Sequence, residues 1–370
     1  MEERREPTGG ADQRPRTPRK KKRRRGRAGG TLLYVAFIIG VSALLATVGW
    51  IAANDVLALN KADHSAIITI TDGETFGQVV DDLKENGIIE FKLVFNLYAS
   101  FSHAADKVAP GTYELNTDMD YRAIVTNLGT KSASRLTVKV TIPEGFTVEQ
   151  IFQRLEEEGV STVAKLSDMA ANHDYAFSFL QDIPLGKANR LEGFLFPDTY
   201  EFYLGEDPKT VLNKMLVNFD RKFTDQMRQK AADNGYSVFD IVTIASMIEK
   251  ETDGTDQTTI SSVIYNRLTN PGAETVGLLQ VDATLVYALG RTITQADYTA
   301  DTPYNTYTNQ GLPPGPISNP GMSAINAAMN PESTGYYYYV LGNDGVHHFF
   351  KTHQGQLDFI AQQQAAKANG

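Results

Sequence analysis

The chain of 370 residues contains no cysteine. That absence excludes disulfides, a thiolate nucleophile and cysteine-ligated zinc or iron–sulfur sites. The sequence also lacks the G-x-x-x-x-G-K-[ST] phosphate loop, the G-x-G-x-x-G dinucleotide motif, H-E-x-x-H and G-x-S-x-G. Three histidines, His347, His348 and His353, lie close together without a recognised ligand spacing. The sequence therefore predicts neither a metal site nor a cofactor.

Basic residues are scarce beyond the N-terminus. Residues 1–30 carry twelve Lys and Arg against four Asp and Glu, whereas the rest of the chain carries 23 against 40. An acidic body argues against a nucleic-acid partner, because phosphate binding requires a basic surface. The basic run at residues 19–25 is interpreted as part of a disordered tail spanning residues 1–30 rather than a nucleic-acid arm, since blocks of like charge repel.

Residues 31–53 contain no charged side chain. A bilayer-spanning helix needs about 20 apolar residues, so this run predicts a single transmembrane helix. The basic cluster precedes this helix, which indicates a protein of the cell membrane. The tail is expected in the cytoplasm and residues 54–370 on the outer side of the membrane. A cleaved signal peptide is the alternative. The apolar run is longer than a usual signal sequence, which favours an uncleaved anchor.

Two later segments repeat each other at an offset of 72 residues. In residues 70–87 and 142–159, Ile, Gly, Thr, Leu and Gly recur at the same spacing. Each copy predicts a strand, a Gly turn, a Thr N-cap, an amphipathic helix and a Gly C-cap. The βααβ order of residues 67–115 is similar to a LysM module, a type of unit that binds the glycan of peptidoglycan. A spacer of the same shape is the alternative.

The remaining chain predicts a mixed α+β body. Helices are expected over about 208–234, from a capping box at residues 237–240 onward, over 257–268 and from about 354. In residues 191–202, aromatic and polar residues alternate, which suggests a strand or loop with one face available to a ligand. Residues 279–284 and 304–321 are rich in Gly, Pro, Asn and Gln and are predicted as binding loops. Residues 343–345 are the predicted turn of a hairpin.

One carboxylate, Glu249, stands at the end of a mostly apolar helix. Residues three, four and seven positions before it are Ser246, Ala245 and Val242, which form a small, weakly polar stripe on the same face. Such surroundings can raise the pKa of a carboxyl group and keep it protonated near neutral pH. Glu251 points elsewhere on the helix. On pattern alone, a solvated surface acid is the competing interpretation of Glu249.

Aromatics and amides in rigid loops suit a carbohydrate cleft, where rings stack on sugars and amides bind hydroxyl and N-acetyl groups. Splitting a glycosidic bond needs an acid that protonates the leaving oxygen, and Glu249 suits that role. Six motifs then occur in one order, and together they closely resemble the YceG-like endolytic murein transglycosylase family over about residues 66–365. The motifs are residues 191–200, 245–252, 263–268, 279–284, 304–307 and 311–317.

The resemblance implies a membrane-anchored lytic enzyme with a LysM-like subdomain at residues 66–141 and a catalytic domain at 142–365. It implies cleavage of nascent glycan strands between N-acetylmuramic acid (MurNAc) and N-acetylglucosamine (GlcNAc), leaving a 1,6-anhydro end, beside cell-wall synthesis, elongation and division proteins. Motif matching places the general acid/base at Glu249 and cleft or supporting residues at Glu192, Gln280, Asn305 and Tyr307. A hydrolytic muramidase and a non-catalytic, peptidoglycan-binding scaffold are the alternatives.

Overall fold

The structure, a computed structural model, describes residues 27–129, 134–252 and 254–369. Most of the predicted basic tail, up to residue 26, lies outside the described residues. The first helix, α1, runs from Arg27–Leu57. Its segment Gly30–Leu57 is long and apolar enough to cross a membrane, and none of its most apolar window is buried against the protein. It is thus a candidate transmembrane span.

A first small unit follows α1. It consists of β1 Ser65–Ile70, α2 Phe76–Glu85, α3 Lys92–Ser102, β2 Gly111–Asn116 and α4 Tyr121–Asn127. The strands pair antiparallel, with Ile68 opposite Tyr113. The predicted βααβ order is present in these elements. The helices cover the sheet, and the core between them includes the fully buried Leu83, Phe95 and Tyr121.

The sequence repeat is confirmed as a structural repeat. The second copy forms β3 Thr137–Thr141 and α5 Val148–Glu157. Thr75 and Thr147 cap α2 and α5 with the same capping box, each accepting from the backbone N–H three residues on. Both copies turn before the helix at a glycine with positive φ, +82° at Gly73 and +77° at Gly145. In the second copy this turn lies against Glu249.

The rest of the described chain packs around a second, larger hydrophobic core. Its elements are α6 Val163–Asn172, β4 Thr199–Tyr203, α7 Pro208–Lys222, α8 Asp225–Asp233, α9 Val238–Glu251, α10 Gln257–Thr269, α11 Asp282–Leu289, α12 Met322–Met329, β5 Tyr338–Leu341, β6 His347–Phe350 and α13 His353–Asn369. β4 pairs antiparallel with β3, and β5 with β6. The α9 helix packs against α12, α10, α11 and α8. The mixed α+β class is as predicted.

Three predictions about local structure need correction. The helix expected over 208–234 is two helices, because Thr224 caps a new helix, α8, with its hydroxyl on the Met227 N–H. Residues 282–284, predicted as part of a binding loop, instead begin α11, which ends at Gly290 in the left-handed conformation. The aromatic side chains of 191–202 form no ligand-facing surface. They are buried in the core, for example Phe194 at 0% exposure.

Candidate active site

The α9 helix is built to hold its last turn in a fixed place. Ser237 and Asp240 form a capping box at its start. Every residue from 241 to 248 is buried, so the predicted weakly polar stripe is part of the core. Within that stripe the Ser246 hydroxyl donates to the Thr243 carbonyl and accepts from the Ile317 N–H at 3.0 Å. The stripe therefore fixes the loop after residue 316 beside the end of α9.

Glu249 is the first residue of α9 to emerge from this core, and it is half-buried. Its Oε2 accepts a hydrogen bond from the backbone N–H of Gly321 at 3.0 Å. Across from it, a Cβ built on Gly145 would lie 3.5 Å from the Glu249 Cγ, and Gly145 has a φ of +77°. Within the described part of the chain, Oε1 has no hydrogen-bond partner. One carboxyl oxygen is held and the other is available.

Burial raises the pKa of Glu249, which is the direction expected from the sequence. The Gly321 N–H opposes that rise, the neighbouring Glu144 carboxylate adds to it, and Lys250 opposes it. Glu144 is close because its side chain rests on Gly321: a Cβ there would lie 1.8 Å from Glu144 Oε1. Two carboxyl groups therefore contact one glycine.

A cavity of about 1110 Å³ opens between the N-terminus of α5, the end of α9 and α11. Glu249 is not among its lining residues, whereas Lys250 and Glu251 are. The Lys250 Nζ donates to the Gly145 carbonyl at 3.4 Å. Glu249 thus lies outside the lining of this cavity, beside the Gly145 turn. Polar and aromatic side chains along the wall include Gln150, Asn189, Glu192, Asp282, Tyr287, Arg291 and Tyr304.

Glu251 is the second acidic candidate at the end of α9 and, unlike Glu249, it lines this cavity. Burial raises its pKa, and the Tyr339 hydroxyl donates to its Oε2 at 2.9 Å. The Asp282 charge also raises the pKa of Glu251, whereas a hydrogen bond from the Ala283 N–H lowers it. Its carboxylate is therefore held by two donors from other elements, in contrast to the single donor on Glu249.

Glu192 is a buried residue of the cavity wall, with 4% of its surface exposed. Its carboxyl oxygens accept from the Val148 N–H at 3.0 Å, from Asn319 Nδ2 at 2.9 Å and from the Tyr287 hydroxyl at 3.1 Å. Burial raises its pKa to about 8. It joins the start of α5 to the loop that carries Gly321, which is a supporting position.

Two further predicted residues are placed inside the loops they belong to. Asn305 is fully buried, and its amide donates to the Tyr298 and Ala300 carbonyls at 3.1 and 2.9 Å. Gln280 has a φ of +52°, and its backbone N–H donates to the Thr306 carbonyl at 3.0 Å. Asn305 thereby holds its loop against residues 298–300, and Gln280 joins the residues before α11 to Thr306.

The fifth predicted residue, Tyr307, donates its hydroxyl to Asp282 Oδ1 at 2.5 Å. It thereby reaches the cavity wall indirectly. The histidines lie elsewhere: His347 Nδ1 is 2.6 Å from Asp256 Oδ2, and the His353 ring stacks on Tyr338. In the described ranges, no group of three or more His, Asp or Glu side chains could hold a metal ion.

Sequence reasoning missed two residues in the turns that contact Glu249. Asn319 exchanges backbone hydrogen bonds with the Gly145 turn, and its side chain contacts the Leu195 N–H, the Phe146 carbonyl and Glu192. Glu144 was passed over although it occupies the repeat position of Asp72. Both lie in motifs that the sequence marks as turns, but only the fold brings the two turns together.

The protein has a mixed α+β fold, and carboxyl groups whose pKa is raised lie beside a large cavity lined by polar and aromatic side chains. This combination is typical of enzymes that use acid–base catalysis. A profile of the YceG-like family matches residues 68–362. The chain belongs to this family.

Named relatives agree with that assignment. The chain is 34% identical over 301 residues to an endolytic murein transglycosylase of Bacillus subtilis (strain 168), covering 77% of this chain and 81% of that protein. It is 29% identical to one from Streptococcus pneumoniae serotype 2 (strain D39), covering 74% and 53%. A crystal structure of a YceG-like protein from Listeria monocytogenes matches with a TM-score of 0.52 and 29% identity, covering 80% of this chain and 98% of that one.

Proposed function

We propose that this protein is an endolytic peptidoglycan lytic transglycosylase in which Glu249 is the single general acid and base. The supporting observation is the placement of Glu249: it is half-buried, one carboxyl oxygen accepts from the Gly321 N–H, and the other has no hydrogen-bond partner among the described residues, one position before Lys250 on the cavity wall. The relatives named endolytic murein transglycosylases supply the substrate and reaction class.

The reaction needs one carboxyl group that first gives and then takes a proton. Protonated Glu249 gives its proton to the glycosidic oxygen between MurNAc and GlcNAc as the C1–O bond breaks. The resulting carboxylate accepts the proton of the MurNAc C6 hydroxyl while that oxygen bonds to C1. The proton count returns to its start, no water is consumed, and the product has a 1,6-anhydro end.

The neighbours of Glu249 serve these two steps differently. Burial and the Glu144 charge favour the protonated acid that begins the reaction. The Gly321 N–H stabilises the carboxylate that forms after the first proton transfer, because it donates to the charged oxygen. The two effects oppose each other: one favours the protonated acid of the first step and the other favours the carboxylate of the second.

The cavity is the proposed glycan site. The rings of Tyr287 and Tyr304 lie 5.2 Å apart on its wall and offer faces for sugar rings. Gln150, Asn189 and Arg291 supply donors for hydroxyl and carboxylate groups. Glu192, Gln280, Asn305 and Tyr307 act in this proposal by holding the walls.

The membrane placement belongs to the same proposal. α1 is the single-pass anchor, with its N-terminus in the cytoplasm and residues 54–370 outside. The LysM-like unit of residues 66–141 and the catalytic domain of 142–365 then work on nascent glycan strands beside cell-wall synthesis proteins. Two separate hydrophobic cores support that division.

The test compares Glu249→Gln with Glu251→Gln in the purified full-length chain, using uncrosslinked glycan strands. We expect the first variant to lose cleavage by at least about 100-fold, the usual scale of a general acid/base, and the second to retain much more. Both substitutions remove one carboxylate from the same helix turn, so Glu251→Gln controls for local charge and folding. Undiminished cleavage by Glu249→Gln would sink the assignment. Glycan binding by the wild type without any cleavage would favour the scaffold instead.

A further inference from the structure

The end of α1 is locked to the first unit by a buried carboxylate. Asp55 is 0% exposed, and its oxygens accept from the Glu90 N–H at 3.0 Å and the Phe91 N–H at 2.9 Å. The Tyr121 hydroxyl donates to it at 2.5 Å, and Lys61 Nζ lies 2.6 Å away. A buried acid with four partners is a fixed joint, because removing any partner leaves charge unsatisfied.

This joint, here called the Asp55 clamp, determines where α3 begins. Phe91, which donates to Asp55, is also the N-cap residue of α3. α1 packs against both α3 and α4. With a rise of about 1.5 Å per residue, the 11 residues of α3 extend only about 16 Å from the clamp. The whole helix therefore lies close to the outer end of the candidate span.

α3 exposes a stripe of large apolar side chains. Leu93, Leu97 and Phe101, at spacings of four residues, are 79%, 57% and 81% exposed. The opposite side of the helix is also apolar, since Phe95 and Ala99 are buried in the first core. Exposed apolar residues are ordinary singly, but a stripe of three on one helix face indicates a contact surface.

We infer that this α3 stripe rests in the interfacial layer of the same bilayer that α1 spans, so that the first unit is seated on the membrane. The inference rests on the proposed membrane anchoring. Its specific argument is continuity: the stripe starts two residues from the clamp, and Leu57 and Leu59 at the end of the span are exposed as well. Helices lying in the interface bury such a face about 5–10 Å deep.

The bilayer contact is apolar rather than electrostatic. Lys92 and Lys107 flank the stripe, but Glu90 and Asp106 lie beside them in sequence and offset their charge. Lys92 is moreover paired with Asp81 at 2.7 Å. Binding should therefore occur on zwitterionic phosphatidylcholine and resist salt, because counter-charge attraction is not its source.

The absence of cysteine allows a direct depth measurement. Leu97→Cys, Glu114→Cys and Ile39→Cys are each labelled with a nitroxide in the full chain reconstituted into phosphatidylcholine vesicles. Glu114 is exposed on β2, between the inward-facing Tyr113 and Leu115, so its side chain points away from the helices. Electron paramagnetic resonance then compares collision with oxygen, which concentrates in lipid, and with a water-soluble nickel complex. Circular dichroism checks that each labelled chain is folded.

We expect the label at position 97 to prefer oxygen over nickel, as the label at 39 does, with the ratio reversed at 114. If 39 is in lipid but 97 behaves like 114, the membrane seat is refuted while the anchor stands. If 39 is itself in water, the anchoring fails and the seat with it. Shielding of position 97 from both reagents would mean that protein covers the stripe, which also overturns the inference.

Discussion

Glu192→Gln should remove a pH-dependent penalty from the folded state. Glu192 is buried and accepts three hydrogen bonds, yet burial still raises its pKa from 4.5 to about 8. Glutamine has the same shape and no charge. Its carbonyl oxygen can accept from the Val148 N–H and Asn319, and its amide can donate to the Tyr287 hydroxyl.

The size of the effect comes from the difference between folded and unfolded pKa values. One pKa unit equals about 1.4 kcal/mol, so a rise from 4.5 to about 8 corresponds to about 5 kcal/mol. Between these values the folded chain holds a proton that the unfolded chain has lost. The contribution of Glu192 to the free energy of unfolding is therefore fully present below pH 4.5. That contribution is lost as the pH rises towards 8.

The assay is a urea titration of wild type and Glu192→Gln at pH 5 and pH 8, read from deuterium uptake of peptides in α5 and α9. All other titrating groups are shared, so the difference between the two proteins isolates Glu192. We expect similar stability at pH 5 and a free energy of unfolding several kcal/mol higher for the variant at pH 8. A difference that is the same at both pH values would refute the reasoning.

Three further substitutions test other parts of the structure. Glu144→Gln removes a charge that raises the pKa of Glu249, so the alkaline limb of the kcat profile should move to lower pH; an unmoved limb would show that Glu144 does not act on the acid. Gly193→Ala places a Cβ within 2.6 Å of core atoms at a φ of +89° and should cost more than about 2 kcal/mol in thermal or urea unfolding; a cost under about 1 kcal/mol would contradict this packing. Asp55→Ala leaves the buried Lys61 without its carboxylate partner. It should lower the stability of the first core alone by about 3–5 kcal/mol, measured by hydrogen exchange, and an equal loss in both cores would contradict a local clamp.

Local patterns predicted the repeat well because its signals are contained in short segments. The threonine caps, the glycines with positive φ and the alternating apolar positions each act within about ten residues. The same reasoning is wrong for residues 282–284, because their composition predicts a loop whereas they begin a helix that ends at Gly290. It failed also for the aromatics of 191–202, since alternation does not tell which face meets the core.

The surroundings of Glu249 could be predicted only in part. Its helix face and raised pKa follow from spacing and burial. Its contacts do not, because Gly145 and Gly321 are separated from it by 104 and 72 residues of sequence. Such contacts depend on how two loops meet across the core. Family resemblance selected the residue, while the roles of Asn319 and Glu144 emerged only from the fold.

The central claim is that cleavage uses the C6 hydroxyl of MurNAc rather than water. The most direct measurement is digestion of uncrosslinked glycan strands by the full-length protein in oxygen-18 water, followed by mass spectrometry of the new ends. The mechanism through Glu249 predicts ends that are one water lighter than a reducing sugar and contain no oxygen-18. Reducing ends that carry oxygen-18 would contradict it and identify a hydrolytic muramidase.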